Sequence, residues 1–518
     1  MGSDSYVFRL IYALASYLLK VLYGSSTYRV LKRLADWFRK CFRESRAIVI
    51  LKREGKVDKI WDKSKTYKLF FQIMHLPAVL IRKLFVKKHQ IFEHSKMFRL
   101  ITLAADNVHI ISALALFIIL IIPHSFWYNI FGTLMAVGLL FLLYVRVATK
   151  KDEVFNLKYI GFYLAVFMLS VLLAQIFSIF PALSLRFLVF NATCLIFAFV
   201  LINSINSKDQ LVTVIEIIFM GVTIVGLYAI YQAIRGVPVN ASQTDLAANA
   251  GMPGRAYSTM ENPNNLGQIL MMMLPFYVAI FMGSKSFIKR FIIFGFAMPP
   301  LIALGLTYSR SSWIGFAVAM FMFVVLTNWR LIPLFILGGI AAIPVLPQSI
   351  YNRILTIFTG DSSVGYRGLI FATVEPMLEK YWFSGVGLGT DVFMSIVRNY
   401  PLHTGVVPPH THNLYLQIWI ETGLVGIVVF LGFMINAFKR AVKTVKIMTE
   451  TSDNYVKYII IAGVSSLAGI LTVGLAEYIW YYPRVMIIFW VVVGLLFAAN
   501  KIAEQEKHGQ KQGDDSAA

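Results

Sequence analysis

With 518 residues, 58% of them hydrophobic and only 14% charged, and a mean hydropathy of +0.69, the chain is too apolar for a soluble protein of its length. Its net charge of +22 is uneven: residues 1–107 hold 22 Lys and Arg against 8 Asp and Glu, about +14 of the total. Two cysteines, Cys41 and Cys194, exclude a disulfide framework. The class that remains is an all-α polytopic membrane protein.

The first hundred residues mix basic and apolar positions without an uninterrupted hydrophobic core, so no cleavable signal peptide is expected. Patterns such as YVFRLIYALASYLLKVLYG and YKLFFQIMHLPAVLIRKLFVKK predict basic amphipathic helices on an anionic membrane surface rather than a nucleic-acid site. A partner-binding cytoplasmic domain is the alternative. A span within 70–86 would be interrupted by His75, Pro77 and Arg82.

Twelve candidate spans follow, near 108–123, 126–146, 159–180, 184–204, 211–233, 265–284, 287–307, 312–327, 330–347, 413–437, 457–478 and 482–500. No internal repeat stands out, which weighs against a transporter built from repeated halves. The positive-inside rule places the basic N-terminal region in the cytoplasm, and the connections that then fall inside, such as RVATKKDEVFNLK and FKRAVKTVKIMTETSDNYVK, are basic. An even count returns the C-terminus to the same side.

That register leaves Arg186, Arg235, Arg255, Arg310, Arg353, Arg367, Arg398 and Arg484 at or near the outer face, against a single lysine, Lys380. Orientation alone would thin both residue types alike. Retained arginine points to its rigid fork, which grips phosphate and carboxylate bidentately, although some of these side chains are expected in loop salt bridges or at headgroups. The outer segments also carry the unusual sequence. Residues 236–264 are rich in Gly, Pro and Asn, and the turn TYSRSSW sets Arg310 among three serines. The interval 347–412 contains YRGLIFATVEPMLEKYWF, which reads as an amphipathic helix, then GVGLG, which follows no predicted strand and reads as a flexible turn.

The focal stretch is HTHNLYLQIWIETGLVG, residues 410–426, where His410, His412 and Asn413 precede a span carrying Glu421. An ionisable residue in a span is a functional hypothesis by default. Histidines two apart lack the helical i, i+4 metal spacing, and no P-loop, G-x-S-x-G elbow or zincin helix is present, so neither metal nor cofactor is expected. Histidine can take a proton from a hydroxyl near neutral pH, and arginines can neutralise a pyrophosphate leaving group. Together they suit transfer of a group from a phosphorylated lipid to a hydroxyl.

His412-Asn413, nine residues and then Gly423-Leu-Val-Gly426 resemble the signature of the O-antigen ligase and polymerase superfamily of bacterial cell-envelope glycan enzymes. Arg255-Ala-Tyr-Ser-Thr with Asn262-Pro-Asn-Asn-Leu-Gly267, the turn Thr307-Tyr-Ser-Arg310-Ser-Ser-Trp-Ile-Gly315, and Arg367 with its helix and GVGLG are similar in type and order. The resemblance covers roughly residues 205–500 and leaves the basic first hundred residues outside the family pattern.

It implies an inverting, metal-independent membrane glycosyltransferase that uses a glycan on undecaprenyl pyrophosphate and a hydroxyl acceptor, glycan or lipid, at the outer face of the cytoplasmic membrane. A polymerase is favoured over a ligase or a protein O-oligosaccharyltransferase. A transporter or flippase of lipid-linked sugars is the alternative of another class. By the same resemblance His412 is the catalytic base or its organiser, Arg310 acts with it, and Arg255, Arg310 and Arg367 hold the pyrophosphate. Asn413, Glu421, His410 and Glu477 are supporting residues. Glu421, nine residues past His412, falls on the opposite side of a helix from it, and a helix-to-helix hydrogen bond is the plainer reading of Glu477. The expected organisation is a basic cytoplasmic or membrane-surface region over 1–107, a transmembrane domain over 108–500 whose external loop 347–412 joins the ninth and tenth spans, and an unstructured cytoplasmic tail over 501–518.

Overall fold

A long apolar run in a bilayer has one local way to satisfy its backbone, the α-helix, and among the described residues every regular element is helical. A computed structural model describes residues 56–150, 153–240, 253–359, 362–448 and 454–517, with Gly24, Ser26, Arg29, Arg33 and Asp36. The chain divides into Met1–Lys56 and Val57–Ala518. The amphipathic stretch expected at the N-terminus and Cys41 fall almost wholly outside the described residues. Everything below concerns the second unit, in which Cys194 is a buried free thiol.

Ten helices are long and apolar enough to cross a membrane, or eleven if Lys96–Asp106 and Val108–Ile121, which meet at 78°, count as one span. Three elements account for the difference from twelve. The segments 312–327 and 330–347 fall within one candidate, Arg310–Ala342. Its second helix, Ile332–Ala342, has only eleven residues and folds back at Asn328–Leu331 to bring the Phe335 ring within 6.4 Å of Phe321. The helix within 159–180 is only Phe162–Ile176, fifteen residues, after which the chain turns and bends before the next helix starts at Pro181. Lys65–Lys87 passes the test despite Pro77. Pro483–Ala517 also continues past Lys501, where a tail was expected. Lys501 Nζ donates to Ile202 O and Asn206 Oδ1, and Glu504 receives Lys158 at 2.7 Å.

The most deeply buried helices are Pro263–Gly283, Asn454–Val473 and Pro483–Lys507. Arg310–Asn328 crosses Asn454–Val473 with Gly315 and Gly469 facing, so close that a Cβ on Gly469 would strike the Gly315 carbonyl oxygen. Small residues let membrane helices meet backbone to backbone. The contact holds the N-terminus of the Arg310 helix beside the chain that leaves Val473.

GVGLG is not the flexible turn its composition suggests. Residues 385–389 are buried and hydrogen-bonded along their length: Val386 N donates to Ile420 O (2.8 Å), Gly387 N to Glu421 O (3.2 Å), and Val386 O accepts from Ile179 N (3.1 Å). Gly385, Gly387 and Gly389 all have positive φ. The strap seats against Gly423, whose φ of +70° breaks Leu414–Ile447 where the helix backbone turns its carbonyls toward the strap.

Candidate functional site

Three turns at one end of the bundle build the site, and each is bent in the same way. Among the described residues the non-glycine positions with positive φ are Ser258, Tyr308 and His412. Such conformations are costly and persist where the surroundings fix them. Each lies in one of the blocks that the sequence singled out around Arg255, Arg310 and His412.

The turn before Arg310–Asn328 acts as a carbonyl platform. Thr307 O accepts Arg255 Nε at 2.8 Å, and Tyr308 O accepts Arg353 Nε at 3.4 Å. Arg255 Nη2 donates to Asn264 Oδ1 at 2.5 Å, tying it to the start of Pro263–Gly283. Both guanidiniums are buried. Burial, then the neighbouring Arg353 and to a lesser extent Arg310, pull the Arg255 pKa down to about 10, against the opposing charge of Glu477. Arg255 therefore stays protonated at neutral pH. Arg310 is the first residue of its helix, at the positive end of the helix dipole.

Glu477 joins the arginines to the histidines. It sits in the turn after Asn454–Val473, buried, with Oε1 3.0 Å from Arg367 Nη2 and 3.5 Å from Asn264 Nδ2, and with Oε2 3.5 Å from His412 Nδ1. Burial alone would raise its pKa. The contact with His412, the charge of Arg367 and the two histidines outweigh burial and hold it below the usual carboxylate value. Glu477 is the residue whose importance the sequence reading understated. Arg353, counted there among the outer arginines, was not placed in the site either.

His412 is held from behind. Its backbone N–H donates to His410 Nδ1 at 3.1 Å, so Nδ1 of His410 carries a lone pair and its proton resides on Nε2. Burial first, then the neighbouring His412, lower the His410 pKa to about 3, with Glu477 opposing. His410 is thus a neutral wedge, its ring 4.1 Å from that of His412 and 4.6 Å from Tyr481. The His412 ring is part-exposed, with Tyr366 edge-on at 6.3 Å.

Asn413 caps its helix through Leu416 N (3.0 Å), and its Nδ2 donates to Leu475 O (3.0 Å), two residues from Glu477. Glu421 is buried away from the arginines, where it accepts from Gln417 (2.9 Å) and Tyr478 (3.2 Å). Gln417 Oε1 in turn accepts from Thr411 N at 3.0 Å. Both residues fasten the His410–His412 segment to its surroundings. His403 lies apart and exposed, its N–H on Thr373 Oγ1.

A cavity of 740 Å³ opens beside Arg255, lined in part by His124, Tyr228, Gln232, Tyr257 and Glu261. A second, of 320 Å³, shares His124, Met260 and Glu261 and reaches Arg186, Asp391, Tyr481 and Tyr482. Residues 294–431 match the family model described as O-Antigen ligase. The match takes in Arg310, Arg353, Arg367, His412 and Glu421 but stops short of Arg255 and Glu477, and it is narrower than the 205–500 of the motif resemblance. No curated protein matches the chain.

Proposed function

Because the chain belongs to the O-antigen ligase/polymerase superfamily, we propose that this multi-pass membrane protein transfers a glycan from an undecaprenyl-pyrophosphate donor to a hydroxyl acceptor at the outer face of the bacterial cytoplasmic membrane, and does so as a polymerase. The observation that carries the reading is the meeting of Arg367 and His412 on one carboxylate, Glu477, beside Arg255 and its neighbours Arg310 and Arg353. Guanidinium forks at a helix N-terminus suit a diphosphate.

In this mechanism Arg310, with Arg255 and Arg367, holds the pyrophosphate and takes up the charge that develops as the sugar–oxygen bond breaks. His412 accepts the proton of the attacking hydroxyl. Glu477, on the Nδ1 side of the ring, favours the tautomer whose Nε2 is the free base, as a carboxylate orients the imidazole in hydrolase triads. Attack from the face opposite the leaving pyrophosphate inverts the anomeric centre. The two cavities, with exposed tyrosines and mixed charge, suit the sugar rings of donor and acceptor.

The test uses purified protein in nanodiscs with a lipid-pyrophosphate-linked oligosaccharide, wild type against His412→Ala, with and without chelator, resolved on a gel. A ladder of longer lipid-linked products, abolished in the variant and indifferent to chelator, is expected. One product that requires one added acceptor would make the protein a ligase. Movement of the lipid across a bilayer with no new product would replace the enzyme by a flippase.

A further inference from the structure

By length and apolarity Lys65–Lys87 could be a span, yet it is scarcely buried, and its polar contacts to the rest of the bundle fall at one level. Asp58, in the short helix before it, accepts Phe162 N (3.3 Å) and Asn436 Nδ2 (2.8 Å). The Trp61 ring lies 6.0 Å from both Phe162 and Tyr67. His75 Nε2 accepts Phe155 N at 2.9 Å. Arg82 donates to Val147 O (2.7 Å), Ala148 O (3.0 Å) and Lys150 O (3.1 Å), the orphan carbonyls at the end of Asn129–Thr149.

From Tyr67 to Arg82 the helix advances about 22 Å. Yet His75 and Arg82 touch residues 147–155, and Trp61, edge-on to Tyr67 at the other end, touches Phe162. Both ends are thus tied to the link between two consecutive membrane helices. That link carries Lys150 and Lys158, paired with Asp106 and Glu504, and so lies at the level of water rather than hydrocarbon. A spanning helix cannot keep both ends there. The level is also the far one from the arginine cluster: Asn129–Thr149 starts next to His124, which contacts Glu261 at 3.8 Å, and ends at Arg82.

We infer that Lys65–Lys87 lies in the membrane plane at the end of the bundle opposite the site and binds the anionic headgroups of that leaflet. Tyr67, Phe70, Phe71 and Met74 pack on the bundle. Leu69, Ile73, Leu76, Leu80 and Leu84 recur every three or four residues on the other face, and all are exposed. Lys65, Lys68 and Lys83 border that stripe and Lys87 ends it, each exposed. An apolar stripe edged by lysines is what an in-plane helix presents to acyl chains and anionic headgroups.

The experiment uses the full chain with Cys41→Ser and Cys194→Ala, reconstituted in mixed phosphatidylglycerol and phosphatidylcholine. Lys65→Cys and Lys87→Cys should react with an impermeant maleimide from one and the same side of sealed vesicles; reaction from opposite sides, or at neither, overturns the placement. A nitroxide on Leu76→Cys should be relaxed by oxygen and not by a water-soluble nickel chelate. Relaxation by nickel would mean an aqueous face, and protection from both would mean a face covered by residues 1–55 or a second copy; either result sinks the inference. Phosphatidylglycerol should co-purify several-fold enriched, and the Lys65, Lys68, Lys83, Lys87→Gln variant should lose most of that enrichment. Equal enrichment in both proteins would rule out headgroup binding by this helix.

Discussion

The two ends of the bundle use arginine differently. At the Lys65–Lys87 end, apart from Arg82 and Lys501 on backbone carbonyls, charges are matched with carboxylates: Arg146 forks onto Glu153 at 2.8 and 2.9 Å, Arg440 reaches Glu504 at 3.3 Å and lies 4.0 Å above the Tyr159 ring, and Lys158 reaches Glu504 at 2.7 Å. At the other end Arg255 and Arg353 donate to backbone carbonyls, Arg255 feels the charges of both Arg353 and Arg310, and Arg367 reaches Glu477. Pairwise matching is what helix packing needs. Gathering like charges costs stability unless an anion joins them, and functional sites are where that cost is tolerated.

The sharpest way to break this comparison is to remove one group from each end. His412→Ala should lower transfer by about 10²–10⁴-fold with thermal unfolding little changed. Arg310→Lys, which keeps the charge and loses the fork, should lower it by about 10–100-fold at one lost charged hydrogen bond. Arg440→Ala should leave turnover per folded molecule intact and lower stability by about 1–3 kcal/mol. An equal loss of turnover at Arg440 would erase the distinction.

Next in size is Glu477→Gln, which keeps the shape and removes the charge. Turnover should fall about 10–100-fold through the loss of an orienting partner. Combining it with Arg367→Gln should cost less than the sum of the two single changes, because they share one contact. Full additivity in steady-state kinetics would deny that the pair works as a unit.

The smallest effect concerns His410. Its folded-state pKa of about 3 lies below its ordinary 6.5. The unfolded chain therefore takes up a proton that the folded chain does not as pH drops below 6.5, and stability falls in that direction. His410→Asn supplies an acceptor for His412 N–H that does not titrate. Unfolding in nanodiscs between pH 6.5 and 5 should show a shallower slope for this variant than for wild type.

Much of this was legible in the sequence. The blocks around Arg255, Arg310 and His412 come together at turns that their own residues define, and Arg367 joins them from within the helix Ser362–Tyr381. Glu477 was harder to weigh. Its neighbours are aromatic and apolar, so its sequence resembles that of any carboxylate near a helix end, and its significance comes from the Gly315–Gly469 crossing that carries the turn to Arg367 and His412. Arg353 lies in a stretch with no turn signal of its own. GVGLG misled for a physical reason: positive-φ glycines serve an exposed turn and a buried strap equally well, and only Glu421, Gly423 and Ser184 around it separate the two. For Lys65–Lys87 the basic amphipathic pattern points to a membrane surface, whereas hydropathy alone counts its two apolar faces together and suggests a span.

The fifteen-residue helix Phe162–Ile176 has a consequence for the solvent itself. It reaches about 22 Å along its axis, against about 30 Å of hydrocarbon in an ordinary bilayer. Just past its C-terminal end Ile179 and Ser178 receive the glycine strap. Hydrophobic mismatch is relieved by drawing the lipid inward. A bilayer that thins to match this helix should be thinnest beside the strap that braces the His412 helix, which would make acyl-chain length a mechanical input to the proposed site.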